Sequence, residues 1–128
     1  MKVIQVEALT AIKMAKTQLY PVACHYLEKV SQEVSATQLA GIAAPFLKDD
    51  AHQLSILLSE MKEKLNLLEK NVSKAQNSDV DVFEVASIWR DDVFQTMQSL
   101  RETVDEIEEI VDDAYWPIPT YVDLLFGI

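Results

Sequence analysis

A 4-3 spacing of apolar residues, repeated over three long segments, is the feature that most constrains how this chain can fold. Between residues 53 and 73 the spacing is carried by Leu54, Leu58, Met61, Leu65, Leu68 and Val72. It places these side chains on one stripe of a helix that packs lengthwise against its neighbours. The sequence therefore predicts a helix at 51–76, with Asp49 or Asp50 as its N-cap.

The same spacing recurs on both sides of this segment. A helix predicted at 79–115 carries it on Ala86, Trp89, Val93, Met97, Leu100, Val104, Ile107 and Val111. A helix predicted at 1–34 carries it on Ala8, Ile12, Ala15, Leu19, Val22, Tyr26, Val30 and Val34. The link Asn77-Ser78 is too short for anything but an antiparallel reversal, and either Asp79 or Asp81 can cap the helix that follows.

Proline and glycine mark the irregular parts of the chain. Pro21 removes a backbone hydrogen bond inside the first helix, at a cost of about 3 kcal/mol or more, so we expect a kink or break there. Residues 35–50, which include Gly41 and Pro45, are predicted to connect the first two helices. The predicted fold is all-α, an up-down-up bundle of three long helices in a single domain over 1–128.

Composition and charge exclude several classes of protein. No apolar run approaches the ~18 residues of a membrane span, and no export signal is present. The single cysteine, Cys24, suits a reducing cytoplasm. The chain has a net charge of −10, and residues 79–114 hold 12 of its 21 acidic residues. Nucleic acid and anionic membranes would repel such a chain, so we predict neither as a partner.

The acidic residues crowd the predicted C-terminal half of the third helix, where the helix dipole favours cations. They are Glu102, Asp105, Glu106, Glu108, Glu109, Asp112 and Asp113. Four interpretations remain open: a solvated face, a face partly neutralised by lysines of the second helix, a face that meets a basic surface of another subunit, and, least favoured, a divalent-cation site. The candidate lysines are Lys62, Lys64, Lys70 and Lys74.

No catalytic constellation is visible in the sequence. Cys24 and His25 are adjacent, but neighbouring helical residues point about 100° apart and do not face each other. There is no glycine-rich phosphate loop and no nucleophile beside a base. We therefore predict no catalytic, cofactor-binding or metal-binding residue in this segment.

The last thirteen residues, 116–128, are unusually apolar for a chain end, because chain ends are normally polar and frayed unless something holds them. Such a tail is expected to dock, either on its own bundle or on a neighbouring domain or subunit. The candidate docking residues are Trp116, Pro117, Pro119, Tyr121, Leu124, Leu125 and Phe126.

The third helix and tail also carry a recognisable string. It reads Trp89-Arg90-Asp91-Asp92-Val93-Phe94, then Tyr115-Trp116-Pro117-x-Pro119-Thr120-Tyr121-x-Asp123-Leu124-Leu125-Phe126. In order and spacing this resembles the C-terminus of type III glutamine synthetases. The first helix, with Glu7-Ala8 and Tyr20-Pro21, is similar to the start of the same C-terminal helical region.

The resemblance implies that the chain is part of a larger enzyme, and it assigns no catalytic residue to the chain. Its family consists of large bacterial oligomeric ligases that make glutamine from glutamate, ammonia and ATP with divalent metals, in the cytoplasm. The ligands for these groups lie upstream, and no residue here matches them. The resemblance therefore implies a non-catalytic C-terminal domain whose partners are the catalytic domain and neighbouring subunits of the parent enzyme. The alternative is a free-standing cytosolic helical-bundle interaction or adaptor protein.

Overall fold

The computed structural model describes residues 2–77 and 81–111, and every regular element in that part of the chain is helical. In chain order the elements are α1 (Lys2–Met14), a π-helical turn (Ala15–Leu19), α2 (Tyr20–Leu39), α3 (Pro45–Gln76), α4 (Val82–Ser87), a second π-helical turn (Ile88–Val93) and α5 (Phe94–Ile110). Because the helix continues through each π turn, the elements form three long helices, at 2–39, 45–76 and 82–110. The predicted all-α bundle of three long helices is confirmed.

The first two long helices run antiparallel. Lys16 Nζ lies 2.9 Å from Glu69 Oε1, whereas Tyr20, further along the first helix, meets Lys62, which comes earlier in α3. The Lys62 ammonium lies 5.3 Å from the centre of the Tyr20 ring.

The second and third long helices are also antiparallel, as the short link between them predicts. Asn71 Nδ2 donates to Thr96 Oγ1 at 2.9 Å, and Lys64 Nζ donates to Thr103 Oγ1 at 2.6 Å. These two contacts set the register along the pair of helices.

The core follows the predicted stripes closely on the second and third helices. All six predicted positions of α3 are buried, as are all predicted positions of the third helix except Ala86, which is half-buried. The burial of 21 apolar residues in the described ranges supplies the main favourable term for folding.

On the first helix the buried stripe departs from the prediction. Ala11 and Ala23 are buried, whereas the predicted Ile12 and Val22 are only half-buried. The π turn between them contains more residues per turn than an α-helix, so it changes the phase of the stripe.

Pro21 does not break the helix. The amide of Tyr20 donates to the carbonyl of Ala15, five residues back, and this bond closes the π turn immediately before the proline. A π turn is one of the few local structures that distort a helix. The irregularity predicted at Pro21 therefore takes the form of a widened turn next to it.

The predicted connection at 35–50 is wrong in extent, because the first helix continues to Leu39 and α3 begins at Pro45. Gly41 ends the first helix with φ of +73°. Its amide donates to Gln38 O, and that of Ile42 donates to Thr37 O. This pair of bonds is a Schellman motif, in which glycine adopts the left-handed conformation at no steric cost.

The start of α3 also corrects a prediction. The N-cap is Ala44, which makes no side-chain cap, and proline occupies the first turn. Asp49 and Asp50 lie inside the helix and are not its caps. Proline is favoured at this position because its φ is already helical and its missing amide would have no partner there.

Of the two predicted caps of the third long helix, Asp79 and Asp81, the structure shows Asp81 as the N-cap. Its side chain accepts a hydrogen bond from the amide of Phe83. The helix ends at Ile110 instead of residue 115, since Val111 is extended with ψ of 131°. Acidic residues in the last turn oppose the helix dipole, and that turn itself contains no basic residue.

Candidate functional surface

The predicted docking tail lies outside the described residues, which end at Val111. The last described residue, Val111, shows the level of the bundle from which the chain leads to the tail. Val111 is 4% exposed and belongs to the core. Eight residues separate it from Thr103, which contacts Lys64, so the antiparallel register places Val111 level with Ile56 of α3.

Beyond this level the first two long helices continue without the third. About ten residues of α3, from Pro45 to Leu54, and the facing end of α2 extend further, a length of roughly 15 Å. Among the described residues, this end of the bundle is therefore a two-helix hairpin, and the remainder is a three-helix bundle.

A groove runs along the seam between α2 and α3, and we call it the α2–α3 groove. It consists of three cavities of about 300, 370 and 320 Å³. The first and second share Leu27 and Ser55, and the first and third share Val34 and Lys48, so the three are continuous. The remaining lining residues are Tyr20, Cys24, Ser31, Thr37, Gln38, Ile42, Ala43, Ala44, Pro45, Ala51, His52, Leu58, Ser59 and Lys62.

The groove has the opposite charge to the chain as a whole. Its described lining includes Lys48, Lys62 and His52 but no carboxylate, although the chain carries a net charge of −10. The remaining wall is mixed, with apolar residues such as Leu27, Val34 and Leu58 beside neutral polar residues such as Ser31, Ser55 and Ser59. The groove can therefore accept an apolar segment that carries negative charge.

Tyr20 and Cys24 lie side by side at one end of this groove, one helical turn apart on α2. The charge of the Cys24 thiolate, burial and a hydrogen bond with Cys24 together raise the pKa of the Tyr20 hydroxyl. The adjacent His25 is exposed and does not line the groove. The structure thus separates the Cys24-His25 pair, as the helical geometry predicts.

For three of the four candidate lysines of α3, the contacts that the structure shows are with groups outside the acidic run. Lys74 pairs at 3.6 Å with Asp92, which precedes the run. Lys64 contacts Thr103 and the Ser99 carbonyl, and Lys62 lies over Tyr20.

One acidic residue of the run is paired within its own helix. Arg101 Nε lies 3.7 Å from Asp105 Oδ2. Glu102, Glu106 and Glu109 are exposed, which fits a solvated face over the described part of the run.

Two polar bridges between the second and third helices were not predicted from the sequence. Asn71 contacts the Asp92 carbonyl and Thr96 Oγ1, and Lys64 contacts Thr103 Oγ1. Both threonines are buried. Both threonines stand beside apolar stripe residues of the third helix, so the sequence indicates that they are buried. A buried hydroxyl requires a hydrogen-bond partner, and this requirement is the one signal that could have revealed the bridges.

Within residues 2–77 and 81–111 no group of three or more histidine, cysteine or acidic side chains could hold a metal ion. None of the described helices is long and apolar enough to cross a membrane.

Large apolar side chains are exposed at both ends of the bundle. At the hairpin end Leu39 is 90% exposed, and Ile42 and Phe46 are also exposed. At the opposite end Val82 and Phe83 are exposed, as are apolar residues of α1.

Comparison with known proteins shows similarity along nearly the whole chain. It is 27% identical over 129 residues to a glutamine synthetase of Butyrivibrio fibrisolvens, covering 99% of this chain and 18% of that protein. It is 23% identical over 136 residues to a glutamine synthetase of Bacteroides fragilis (strain YCH46), covering 96% of this chain and 18% of that protein.

A third relative is a type-3 glutamine synthetase of Dictyostelium discoideum, 27% identical over 131 residues that cover 98% of this chain and 18% of that protein. The chain therefore spans less than a fifth of the length of these curated relatives, and the resemblance predicted from the sequence is confirmed. No family model matches the chain, and no solved structure matches it.

Proposed function

We propose that this chain is the C-terminal helical domain of a type III glutamine synthetase and that its role is mechanical, in the packing of domains and subunits. The observation that carries the proposal is the similarity to glutamine synthetases over 96–99% of the chain and 18% of each relative. In each relative, the part outside the matched segment is much longer than the segment itself. In this proposal the corresponding part of the parent enzyme holds the catalytic centre.

In this proposal the parent enzyme ligates ammonia to glutamate in the cytoplasm, with ATP and a divalent metal bound outside this segment. The three-helix core supplies a rigid support, because a stripe of leucine, valine and methionine along α3 packs against the other two long helices and polar bridges fix the register of the second and third. The exposed apolar ends supply contact area toward the catalytic domain and neighbouring subunits of a homo-oligomer.

The docking element within this proposal is the tail. Its residues are those predicted from the sequence, Trp116, Pro117, Pro119, Tyr121, Leu124, Leu125 and Phe126. Burying one leucine or phenylalanine side chain contributes about 1.5–3 kcal/mol, so the last three alone can contribute several kcal/mol to an interface.

The first test is the size of the native polypeptide. An antibody raised against residues 1–128 is used to probe a lysate of the source cells and to precipitate its antigen. We expect a band several-fold heavier than 14.5 kDa and glutamine synthetase activity in the precipitate. A band at the chain's own mass, without activity, would refute the proposal and favour the free-standing adaptor protein.

The second test separates assembly from catalysis. In the parent enzyme the substitutions Leu124→Asp and Leu125→Asp are expected to shift the oligomer toward smaller species in size-exclusion chromatography and to lower activity in proportion. The matched control is Leu67→Asp, a leucine of α3 that is half-exposed. Normal oligomers and normal activity in the tail variant would contradict a docking role.

A further inference from the structure

We propose that the α2–α3 groove is the docking site of this chain's own last residues, 112–128. The inference deepens the proposed function and rests on the part of it that makes the tail a docking element. It names the surface on which the tail docks, which the sequence leaves open between the chain's own bundle and a neighbour.

The chemistry of the groove matches that of the tail. The wall combines apolar and neutral polar side chains, and the charged groups of its described lining are the cations Lys48 and Lys62, with His52 between them in sequence. The tail carries three acidic residues, Asp112, Asp113 and Asp123, and has neither lysine nor arginine. Its other side chains include three aromatic residues, Tyr115, Trp116 and Tyr121, and the run 124–126, so it is an apolar segment with negative charge. Opposite charges on two such surfaces favour the correct partner and disfavour others.

The chemistry does not fit the other acidic surface of this protein. The exposed acidic residues of the third helix, such as Glu102, Glu106 and Glu109, lie on a face that offers charge without large apolar side chains. Such a face could approach the lysines of the groove but could not fill cavities of 300 Å³ or more. The tail can do both.

The tail also begins at the right level of the bundle. The register of the second and third helices places Val111 beside Ile56 of α3. The neighbouring Ser55 lines the groove together with Leu27 of α2. The groove thus passes the point at which the tail leaves the bundle, about one helix diameter, ~10 Å, away around α3. Seventeen residues can extend to roughly 55 Å, so the reach is sufficient without any change in the bundle.

The native cysteine offers a direct test, because Cys24 lines the groove and is the chain's single cysteine. A second cysteine is placed in the tail by the substitution Phe126→Cys, and the full 128-residue chain is oxidised with oxidised glutathione at low protein concentration. A disulfide requires the two Cα atoms to come within about 7 Å. We expect an intramolecular bond between positions 24 and 126, identified by peptide mapping, in a product that stays monomeric on a non-reducing gel.

The matched control moves the probe away from the groove. The variant Cys24→Ser, Val6→Cys, Phe126→Cys places a thiol at an exposed position of α1, eighteen residues or about 27 Å along the same long helix. We expect it to form the intramolecular disulfide at least tenfold more slowly. Circular dichroism confirms that both variants keep the helical content of the native chain.

A second control tests the opposite side of α2. The variant Cys24→Ser, Tyr26→Cys, Phe126→Cys places the thiol on a residue of α2 that does not line the groove. Faster bond formation at position 26 than at position 24 would overturn the proposal and assign the tail to that side of the hairpin. A disulfide-linked dimer would overturn it in favour of a neighbouring copy's tail.

The contribution of charge is tested by the substitutions Lys48→Glu and Lys62→Glu in the Phe126→Cys background. At low ionic strength we expect the intramolecular disulfide to form several-fold more slowly, and we expect the difference to shrink in 0.5 M salt. Lys13→Glu, on an exposed lysine of α1 outside the groove, is the control and should leave the rate unchanged. Docking by charge complementarity would be contradicted if the disulfide formed at the same rate in the Phe126→Cys chain, in its Lys48→Glu and Lys62→Glu variant and in its Lys13→Glu variant.

The docking surface and the proposed function are tested by different measurements, so the failure of one can be told from the failure of the other. The disulfide forms or fails to form in the 128-residue chain alone, whereas the proposed function is tested by the size and assembly of the parent enzyme. If tail substitutions disrupt the oligomer while position 24 stays unbridged, the docking surface is wrong and the docking role survives. If position 24 is bridged but assembly is unaffected, the tail belongs to its own bundle and the mechanical role is wrong.

Discussion

Thr103 provides the sharpest test of how the second and third helices are held in register. Its side chain is 1% exposed, and its hydroxyl accepts a 2.6 Å hydrogen bond from the Lys64 ammonium. The substitution Thr103→Val keeps the branched shape of the side chain and removes this acceptor, together with the 3.4 Å hydrogen bond that the hydroxyl donates to the Ser99 carbonyl of its own helix. Lys64 would keep one described acceptor, the Ser99 carbonyl at 3.2 Å.

The expected loss follows from the kind of bond. Hydrogen bonds to charged groups contribute roughly 1.5–3 kcal/mol, and neutral ones about 1 kcal/mol. Lys64 is half-buried, so water can replace part of the lost bond, and we expect Thr103→Val to lower the free energy of unfolding by about 1–2 kcal/mol. For a chain of this size that corresponds to a fall in Tm of roughly 4–8 °C.

The assay is urea denaturation of four proteins, the native chain, Thr103→Val, Lys64→Met and the double variant. Methionine keeps an unbranched apolar stem in place of lysine, so the pairwise coupling isolates the polar bridge. We expect a coupling free energy of about 1 kcal/mol. The control is Thr17→Val, since the exposed Thr17 hydroxyl donates to the Lys13 carbonyl within its own helix. If Thr103→Val costs no more than Thr17→Val, or if the two changes at the bridge are additive, the bridge does not stabilise the register.

Three further predictions concern packing, charge and pH. Leu68→Ala should cost about 2–5 kcal/mol because it leaves a cavity at a fully buried site, whereas Leu67→Ala, at a side chain 49% exposed, should cost far less in the same denaturation assay. Raising NaCl from 0.05 to 0.5 M should increase Tm, because salt screens the repulsion within the acidic run at 102–109; an unchanged Tm would mean that the run is already neutralised. The Cys24 thiolate, burial and their hydrogen bond raise the pKa of Tyr20, so its stabilising contribution is fully present below its unfolded pKa of about 10 and is lost as pH rises through the folded value. Thermal unfolding of the native chain should therefore lose more stability between pH 9 and pH 11 than that of Tyr20→Phe, and equal losses would contradict the assigned shift.

The candidate surface illustrates what a sequence can and cannot reveal about function. The apolar tail and its resemblance to a glutamine synthetase C-terminus are properties of the string and can be found without coordinates. The α2–α3 groove cannot be found that way, because its lining comes from residues on two helices that are up to forty positions apart. Their charges match only after the hairpin places Lys48 and Lys62 on the same seam as Leu27.

The sequence by itself determined the number of long helices, their antiparallel order and nearly all of the buried positions on α3 and the third helix. These features follow from local periodicity, since a 4-3 spacing aligns apolar side chains on one face whatever the partner helix. The tertiary structure decided the phase of the first helix, where a π turn beside Pro21 brings Ala11 and Ala23 into the core. It also decided the register of the second and third helices, because polar bridges such as Asn71 to Thr96 depend on which turns meet, and a repeating stripe matches itself equally well when shifted by one repeat.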